Sequence, residues 1–272
     1  MPSPANERLR RIISPQNNLV KELRRAFTRG ERTPDGYCAI ESVRIIEEAI
    51  RSGLRFRALF VSESAEVRAE RLLPQIGSHV ETLLLPDQVF RGAVATETPQ
   101  GVAALVKLKE HSLDAVLEVP VPLFVGIAGI QDPGNLGTII RSAEAFGAHA
   151  AFIGENTVAQ FNPKVLRAAA GSLFRLPVFN TQLQTAVSRL REAGVRIVGT
   201  SSHKGKPLNE VDLTRPLALF IGSEGTGMPR EILSEMDENV MIPHSPRVES
   251  LNAGVAASIL LYEASRQRSG RK

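Results

Sequence analysis

The second half of the chain contains four short, mostly apolar segments, each about the length of one β-strand. They are Leu123–Ala128, Ala150–Gly154, Arg196–Gly199 and Pro216–Ile221. The intervening and following sequence predicts helices at Thr138–Phe146, Pro163–Ala170, Leu183–Ala193, Pro229–Met236 and Ser250–Arg268, and a short strand at Val240–Pro243. Apolar strands that alternate with helices indicate a mostly parallel sheet with helices on both faces. The sequence therefore predicts an α/β fold for residues 121–272.

A smaller α/β unit precedes this half of the chain. Its pattern predicts helices at Asn17–Thr28, Glu41–Arg51 and Ala65–Leu73, and strands at Tyr37–Ile40, Phe56–Val61, Val80–Leu84 and Gly101–Leu108. The stretch between the two halves carries charges and prolines, which are typical of a linker. We therefore expect a first domain at residues 1–108, a linker at 109–120 and a second domain at 121–272.

Composition limits the classes of protein to consider. The chain has 272 residues, of which 43% are hydrophobic, but no apolar run reaches the roughly 18–20 residues of a membrane span. A single cysteine, Cys38, excludes an internal disulfide framework and suits a reducing cytoplasm. We expect Cys38 to be a small buried hydrophobe. With five scattered histidines, the sequence does not indicate a metal site, and we expect a cytoplasmic protein without a membrane anchor.

Positive charge is concentrated near the start of the chain, although the net charge is only +4. The cluster consists of Arg8, Arg10, Arg11, Lys21, Arg24, Arg25 and Arg29. Such a cluster suits a phosphate backbone, but it is equally typical of a solvated terminus, and charge alone does not decide. In the predicted helix Asn17–Thr28, the apolar face leaves Lys21, Arg24 and Arg25 in solvent, so we expect these three residues to bind RNA if the protein does.

A polar loop after the first apolar strand is the first candidate site. It reads QDPGNLGTIIRSAEAFG, from Gln131 to Gly147. Asn135 is placed to cap the helix that follows, and the apolar face of that helix directs Arg141 elsewhere. The simpler interpretation is a capped helix with an Arg141–Glu144 surface pair.

Two further loops follow later strands, where ligands bind in parallel α/β sheets. The first, FIGSEGTGMP, places three glycines and Glu224 between a strand and a helix. The second runs through IPHSPRVESLNAGVAAS, where Ser250 is a natural N-cap, Asn252 lies in the first turn and one helix side is small. Their simpler interpretations are a flexible turn and a capped core helix. Neither the dinucleotide fingerprint nor the Walker phosphate loop is present, which disfavours a nicotinamide oxidoreductase.

Taken together, DPGNLGTIIRSAEAFG, LFIGSEGTGMP and IPHSPRVESLNAGVAASILLYE resemble the three ordered motifs of the SpoU (TrmH-type) RNA ribose 2′-O-methyltransferases. FNPKVLRAAAGSLFRLPVF is similar to the segment between the first two motifs. The likeness covers residues 123–267, and residues 12–108 resemble the RNA substrate-binding domain of rRNA-directed members. Pro246 and Ala169 depart from the family pattern without removing a site residue.

This resemblance implies a SPOUT fold, in which the C-terminal segment of a parallel sheet forms a trefoil knot. It also implies S-adenosylmethionine as the cofactor, RNA as the partner and a homodimer through the last helix. The implied catalytic residues are Asn135, Arg141, Glu224, Ser250 and Asn252, and the implied cofactor contacts come from Thr200, Gly222, Ile242 and Leu251.

The resemblance also implies that Arg141 is the general base. Arginine normally stays protonated in proteins, so we predict that Arg141 chiefly orients the ribose and its phosphate, with Glu224 holding the guanidinium. The predicted activity is methylation of a ribose 2′-hydroxyl, with 23S rRNA as the first substrate. A tRNA methyltransferase and a catalytically silent RNA-binding relative are the alternatives.

Overall fold

The structure, a computed structural model, describes residues 8–202, 204–223, 225 and 227–270. The chain forms two compact units. The first contains the chain through Lys109 together with Ala159–Phe174, and the second contains Glu110–Val158 together with the chain from Arg175 onward. The segment 159–174, which the sequence places inside the second domain, thus packs within the first unit.

Twelve strands and ten α-helices form the described part of the chain. The strands are β1 (Arg10–Arg11), β2 (Tyr37–Glu41), β3 (Arg55–Ser62), β4 (Glu81–Leu85), β5 (Val102–Lys107), β6 (Leu123–Ala128), β7 (Ala150–Ile153), β8 (Val178–Asn180), β9 (Arg196–Thr200), β10 (Lys206–Pro207), β11 (Leu217–Gly222) and β12 (Glu238–Met241). The helices are α1 (Asn18–Arg29), α2 (Val43–Arg51), α3 (Glu66–Ala69), α4 (Asp87–Arg91), α5 (Leu113–Leu117), α6 (Pro133–Ala145), α7 (Pro163–Ala169), α8 (Leu183–Glu192), α9 (Arg230–Leu233) and α10 (Ala253–Ser269).

The first unit is built on a mixed five-stranded sheet in the order β1-β4-β3-β5-β2. Strands β1, β4 and β3 pair in parallel, whereas β5 is antiparallel to both of its neighbours. Helix α1 buries Leu19, Leu23 and Phe27 in a core that includes Phe60, which confirms the predicted apolar face. Cys38 is fully buried, and burial raises its pKa to about 12, so it behaves as the predicted small hydrophobe.

The second unit is built on a seven-stranded sheet in the order β10-β12-β9-β11-β6-β7-β8. Its strand pairs are all parallel, as the apolar pattern predicts. All six residues of β6 are buried, because helices cover both faces of a central parallel strand. The carboxyl ends of β9, β11 and β12 lie side by side at one edge, where ligands bind in such sheets.

Helix α10 runs from that edge of the sheet back to the opposite one. It begins beside α6, and at its far end the Arg268 guanidinium donates to the carbonyl oxygens of Leu213 at 2.9 Å and Arg215 at 2.6 Å. The same guanidinium donates to the carbonyl oxygens of Val121 and Pro122, which precede β6, at 3.1 and 3.2 Å. These four bonds hold the end of the chain against segments that enter β6 and β11.

One predicted helix is wrong in its extent, and the predicted linker contains a short helix. The predicted helix Ala65–Leu73 is only α3 flanked by single 3₁₀ turns, and Pro74 in the second turn cannot lie inside a longer helix. The predicted linker 109–120 contains α5, whose apolar residues pack on the core of the second unit. Among the described residues, no helix has both the length and the apolar character needed to span a bilayer.

Candidate active site

A cavity of about 690 Å³ opens where β9, β11 and β12 end. Thr200, Gly222, Ile242 and Leu251, the four residues predicted to contact the cofactor, all line it, and so does Ser250. Its volume lies within the roughly 300–1,000 Å³ typical of small-molecule sites. The structure thus brings together loops that are separated by up to fifty residues in the chain.

The glycine-rich loop after β11 forms one wall of the cavity. The Ser223 and Gly227 backbones hydrogen-bond to each other in both directions, at 3.1 and 3.0 Å, which closes a tight turn. A Cβ on Gly222 would lie 2.5 Å from the backbone of Gly227 and Met228, so only glycine allows this approach. Glu224, predicted to hold Arg141, lies outside the described residues.

Further lining residues were not predicted from the sequence. They include Ser201 and Ser202, the apolar residues Met228, Leu233 and Val240, and the polar residues His244 and Glu249. His244 Nδ1 lies 2.7 Å from the Ile242 carbonyl oxygen, which fixes the imidazole at the wall. Backbone, hydroxyl and apolar groups suit the adenine and ribose of a nucleoside, and Glu249 suits a cationic group, so the donor set fits S-adenosylmethionine.

Two asparagines join the starts of α6 and α10. The Asn252 side chain accepts from the Val255 backbone N–H at 3.1 Å through Oδ1, and it donates through Nδ2 to Asn135 Oδ1 at 2.9 Å. Asn252 therefore caps α10, and the prediction that Ser250 is the N-cap of this helix is wrong. Asp132, rather than Asn135, caps α6, because its carboxylate accepts from the Asn135 N–H at 2.7 Å.

These caps have a common reason. The helix α6 begins at Pro133, five residues earlier than predicted, so Asn135 lies inside the first turn with its side chain turned toward α10. The close approach of the two helices depends on Gly254, where a Cβ would lie 3.1 Å from Thr138 and 3.3 Å from Asn135 Oδ1. The predicted small side of the last helix is therefore the side that packs against α6.

Arg141 is exposed on α6, and no described residue forms a hydrogen bond or ion pair with its guanidinium. The simpler interpretation, an Arg141–Glu144 pair, is wrong, because both carboxylate oxygens of Glu144 face Arg175, with one N–O distance of 2.9 Å. Arg141 is thus available to an anion. Among the described residues, no group of histidine, cysteine, aspartate and glutamate side chains is arranged to hold a metal ion.

The basic residues of the first unit fall into two groups. Arg10 and Arg11 form ion pairs with Glu81 and Glu63, both at 2.6 Å, so part of the basic start of the chain is already neutralised. Of the three residues predicted to bind RNA, Arg25 is exposed, Lys21 is half-buried, and Arg24 donates to the Gly92 carbonyl oxygen at 2.8 Å.

Residues 122–262 match the model of the SpoU rRNA methylase family. The chain belongs to this family. Residues 17–104 of this SpoU methylase match the MRM3-like substrate binding domain. Over 254 residues the chain is 34% identical to the 23S rRNA (guanosine(2553)-2′-O)-methyltransferase RlmP of Bacillus subtilis, with 93% of this chain and 98% of that protein covered.

Solved structures agree with this assignment. The SpoU methyltransferase AviRb from Streptomyces viridochromogenes, in complex with the cofactor AdoMet, is 30% identical with a TM-score of 0.83, and the match covers 94% of this chain and 100% of that one. An AdoMet-bound rRNA methyltransferase from Sinorhizobium meliloti is 26% identical with a TM-score of 0.78, covering 95% and 98%. The predicted SPOUT fold with its trefoil knot, the cofactor S-adenosylmethionine and the enzyme class are confirmed.

Proposed function

We propose that this SpoU methylase transfers the methyl group of S-adenosylmethionine to one ribose 2′-hydroxyl of 23S rRNA in the cytoplasm. The observation that carries the proposal is the cavity in which Thr200, Gly222, Ile242 and Leu251 converge, beside the bonded pair Asn135–Asn252. The RNA target is supported by the likeness to the 23S rRNA methyltransferase of Bacillus subtilis over nearly the whole of both chains.

The cavity residues hold the cofactor, which supplies a methyl group on a positively charged sulfur. Gly222 lets the loop approach closely, and the lining hydroxyl and backbone groups can hold a nucleoside without adding charge. In-line displacement depends mainly on alignment, and a preorganised site can lower the barrier by several kcal/mol. Ser250 lies at the rim of this cavity, where it positions the loop or the target.

Arg141 orients the ribose and its phosphate and stabilises the negative charge that develops on the 2′-oxygen. Its guanidinium has the charge and the planar donor fork for a phosphate, and its freedom from intramolecular partners among the described residues supports this role. Asn135 hydrogen-bonds Asn252 and thereby fixes the start of α6, from which Arg141 projects six residues later. Glu224 is assigned to holding the guanidinium.

The active form is a homodimer that buries α10. Val255 and Tyr262 lie two helical turns apart and expose 48% and 54% of their surfaces, which forms an apolar stripe on this helix. The Tyr262 ring also meets Phe146 edge-on, with centroids 5.8 Å apart. Replacing Val255 and Tyr262 with arginine should convert a dimer into a monomer in sedimentation, whereas a monomeric wild type would contradict this assembly.

Comparison of RNA from cells with and without the gene tests the proposed target. Ribose methylation protects the adjacent phosphodiester from alkaline cleavage, so each methylated site can be mapped. Loss of one 2′-O-methyl group in 23S rRNA is the expected result. Loss in a tRNA alone would favour the alternative substrate, and an unchanged map would favour a catalytically silent relative.

A further inference from the structure

The end of α1 and the start of α7 meet within the first unit, although about 130 residues separate them in the chain. Gly30 ends α1 in a left-handed conformation, with φ of 64°, and its N–H donates to Ala26 at 3.0 Å. A Cβ on Gly30 would lie 3.3 Å from the Asn162 nitrogen and 3.4 Å from Ala159 Cβ. Asn162 is the N-cap of α7, so the two helix ends are held in direct contact.

A second contact fixes the same junction. The Arg32 guanidinium lies over the Phe161 ring, 5.1 Å from its centroid, and Phe161 is buried. A cation over an aromatic ring is stabilised by the ring quadrupole, yet the edge of the guanidinium remains able to donate hydrogen bonds. Residues from both parts of the chain therefore present their side chains at one place on the first unit.

Four exposed cations lie on the two segments that meet at this junction, and no described carboxylate pairs with any of them. They are Arg25, Arg29, Arg32 and Lys164. We call these four cations the α1–α7 basic surface. Residues 25–32 and 159–164 contain one acidic residue, Glu31, so the surface has a net charge of about +3. Several other arginines of the first unit do form ion pairs, including Arg51 with Glu48 and Arg57 with Asp35.

These positions carry two electrostatic costs, although Arg29 lies in the last turn of α1, where the helix dipole favours a cation, and Arg32 is stabilised over Phe161. Arg25 and Arg29 stand one helical turn apart, where like charges repel. Lys164 lies in the first turn of α7, where the helix dipole disfavours a cation. Both costs are removed when an external anion binds.

We infer that the α1–α7 basic surface binds the phosphate backbone of the RNA substrate. The inference rests on the proposed function, since it identifies where this enzyme holds its RNA. Arg24, which donates to the Gly92 carbonyl oxygen, is no longer assigned a phosphate contact. Arg29, Arg32 and Lys164 are assigned this role together with Arg25. Two exposed guanidinium groups one turn apart, a stacked guanidinium and an ammonium suit successive phosphates, and each phosphate contact adds a salt-dependent share of the affinity.

The test compares two double variants that remove the same charge. Arg29→Gln with Lys164→Gln removes two of the four cations of the surface, and Arg10→Gln with Arg11→Gln is the matched control on β1, the opposite edge strand of the sheet from β2. Binding of a 23S rRNA fragment is measured by fluorescence anisotropy over a range of salt concentrations. Arg32 is left intact because it packs on Phe161.

For the surface variant we expect a weaker salt dependence: the negative slope of log affinity against log salt should decrease in magnitude by about 2. Affinity at ~0.1 M salt should drop roughly tenfold or more. The control should stay within about twofold of wild type. Equal losses in the two variants, or an unchanged slope in the first, would overturn the inference. Thermal unfolding and S-adenosylmethionine binding must match wild type in both variants. We expect this because all four substituted side chains are exposed.

The same samples separate this inference from the proposed function. A wild type that binds the fragment but leaves 23S rRNA unmethylated, with binding still weakened in the surface variant, would contradict the function and support the surface. If the wild type methylates 23S rRNA and the surface variant binds the fragment as tightly as wild type, only the inference that this surface binds RNA would be contradicted.

Discussion

The two units of this SpoU methylase place their polar residues in different ways. In the second unit, the edge of a parallel sheet forces several loops to converge, so Gly222 and Leu251 reach one cavity. In the first unit, the basic residues lie on an open surface, and neighbours decide which of them are free. Arg24 donates to a carbonyl oxygen, whereas Arg29, five residues later, has no described partner. The position of loops after successive parallel strands predicts that they meet at one site. The number of basic residues in a segment does not predict which of them lack an intramolecular partner.

The largest expected effect belongs to Arg141, which tests whether catalysis can be separated from cofactor binding in the second unit. Arg141→Ala should lower the single-turnover rate of methyl transfer by about 10²–10³, a loss typical of removing one transition-state donor. Affinity for S-adenosylmethionine should stay near that of wild type. Arg141→Lys keeps the charge but lacks the planar fork, so it should restore only part of the rate. A near-normal rate for Arg141→Ala would exclude this residue from the reaction centre.

The next effect concerns the close approach in the cavity wall. Gly222→Val places atoms where the Gly227 and Met228 backbone now lies, and overpacking of this kind costs about 1–3 kcal/mol. Calorimetry should therefore give about a 10- to 100-fold loss of S-adenosylmethionine affinity. Gly92→Ala is the control, since Gly92 does not line the cavity and its added Cβ would come no closer than 3.5 Å to a described atom. Equal affinity in the two variants would remove Gly222 from the cofactor site.

A smaller effect tests the junction of α6 and α10. Asn252→Ala removes both the cap of α10 and the bond to Asn135, and we expect a destabilisation of about 1–2 kcal/mol in denaturant unfolding. Asn252→Asp keeps the capping oxygen but lacks the amide donor, so the difference between Asn252→Asp and wild type isolates the bond to Asn135, and the difference between the two variants isolates the cap. If Asn252→Asp is as stable as wild type, that bond contributes nothing to folding.

The smallest effect is a pH dependence that belongs to the second unit alone. His149 Nδ1 accepts from the Leu123 N–H at 3.1 Å, and burial lowers the pKa of this half-buried imidazole. The unfolded chain then binds a proton more readily than the folded one, so stability should decline as the pH falls below about 6.5. In His149→Gln this part of the acid dependence should be absent. The same slope in variant and wild type would assign it to other groups.

The sequence predicts much of the second unit because its signals are local and periodic. The strand β6 and the convergence of the loops after β9, β11 and β12 follow from apolar runs and from the geometry of parallel sheets. The caps were harder to predict, since Asp132, Asn135, Ser250 and Asn252 are all competent N-caps, and tertiary contact decides among them. Asn252 is the cap because α10 starts where its amide also reaches Asn135.

The place of residues 159–174 could not be predicted from the sequence. Chain order groups them with the second domain, but Gly171 packs on Glu48, where a Cβ would lie 2.8 Å from the Glu48 Cβ. Arg167 also donates to Thr96, which donates to the buried carboxylate of Glu41. These contacts join residues far apart in the chain. A truncation that removes residues 1–108 would therefore leave this segment without its packing partners, so point substitutions are the sounder test of RNA binding.

The most direct test of the account is the position of the transferred methyl group. Purified wild-type protein is incubated with isotopically labelled S-adenosylmethionine and separately with 23S rRNA, 16S rRNA and tRNA, and the nucleosides are identified by mass spectrometry. The account predicts one labelled 2′-O-methylnucleoside, found only in 23S rRNA and absent from the Arg141→Ala reaction. A label on a base, a label confined to tRNA, or no transfer despite cofactor binding would contradict it.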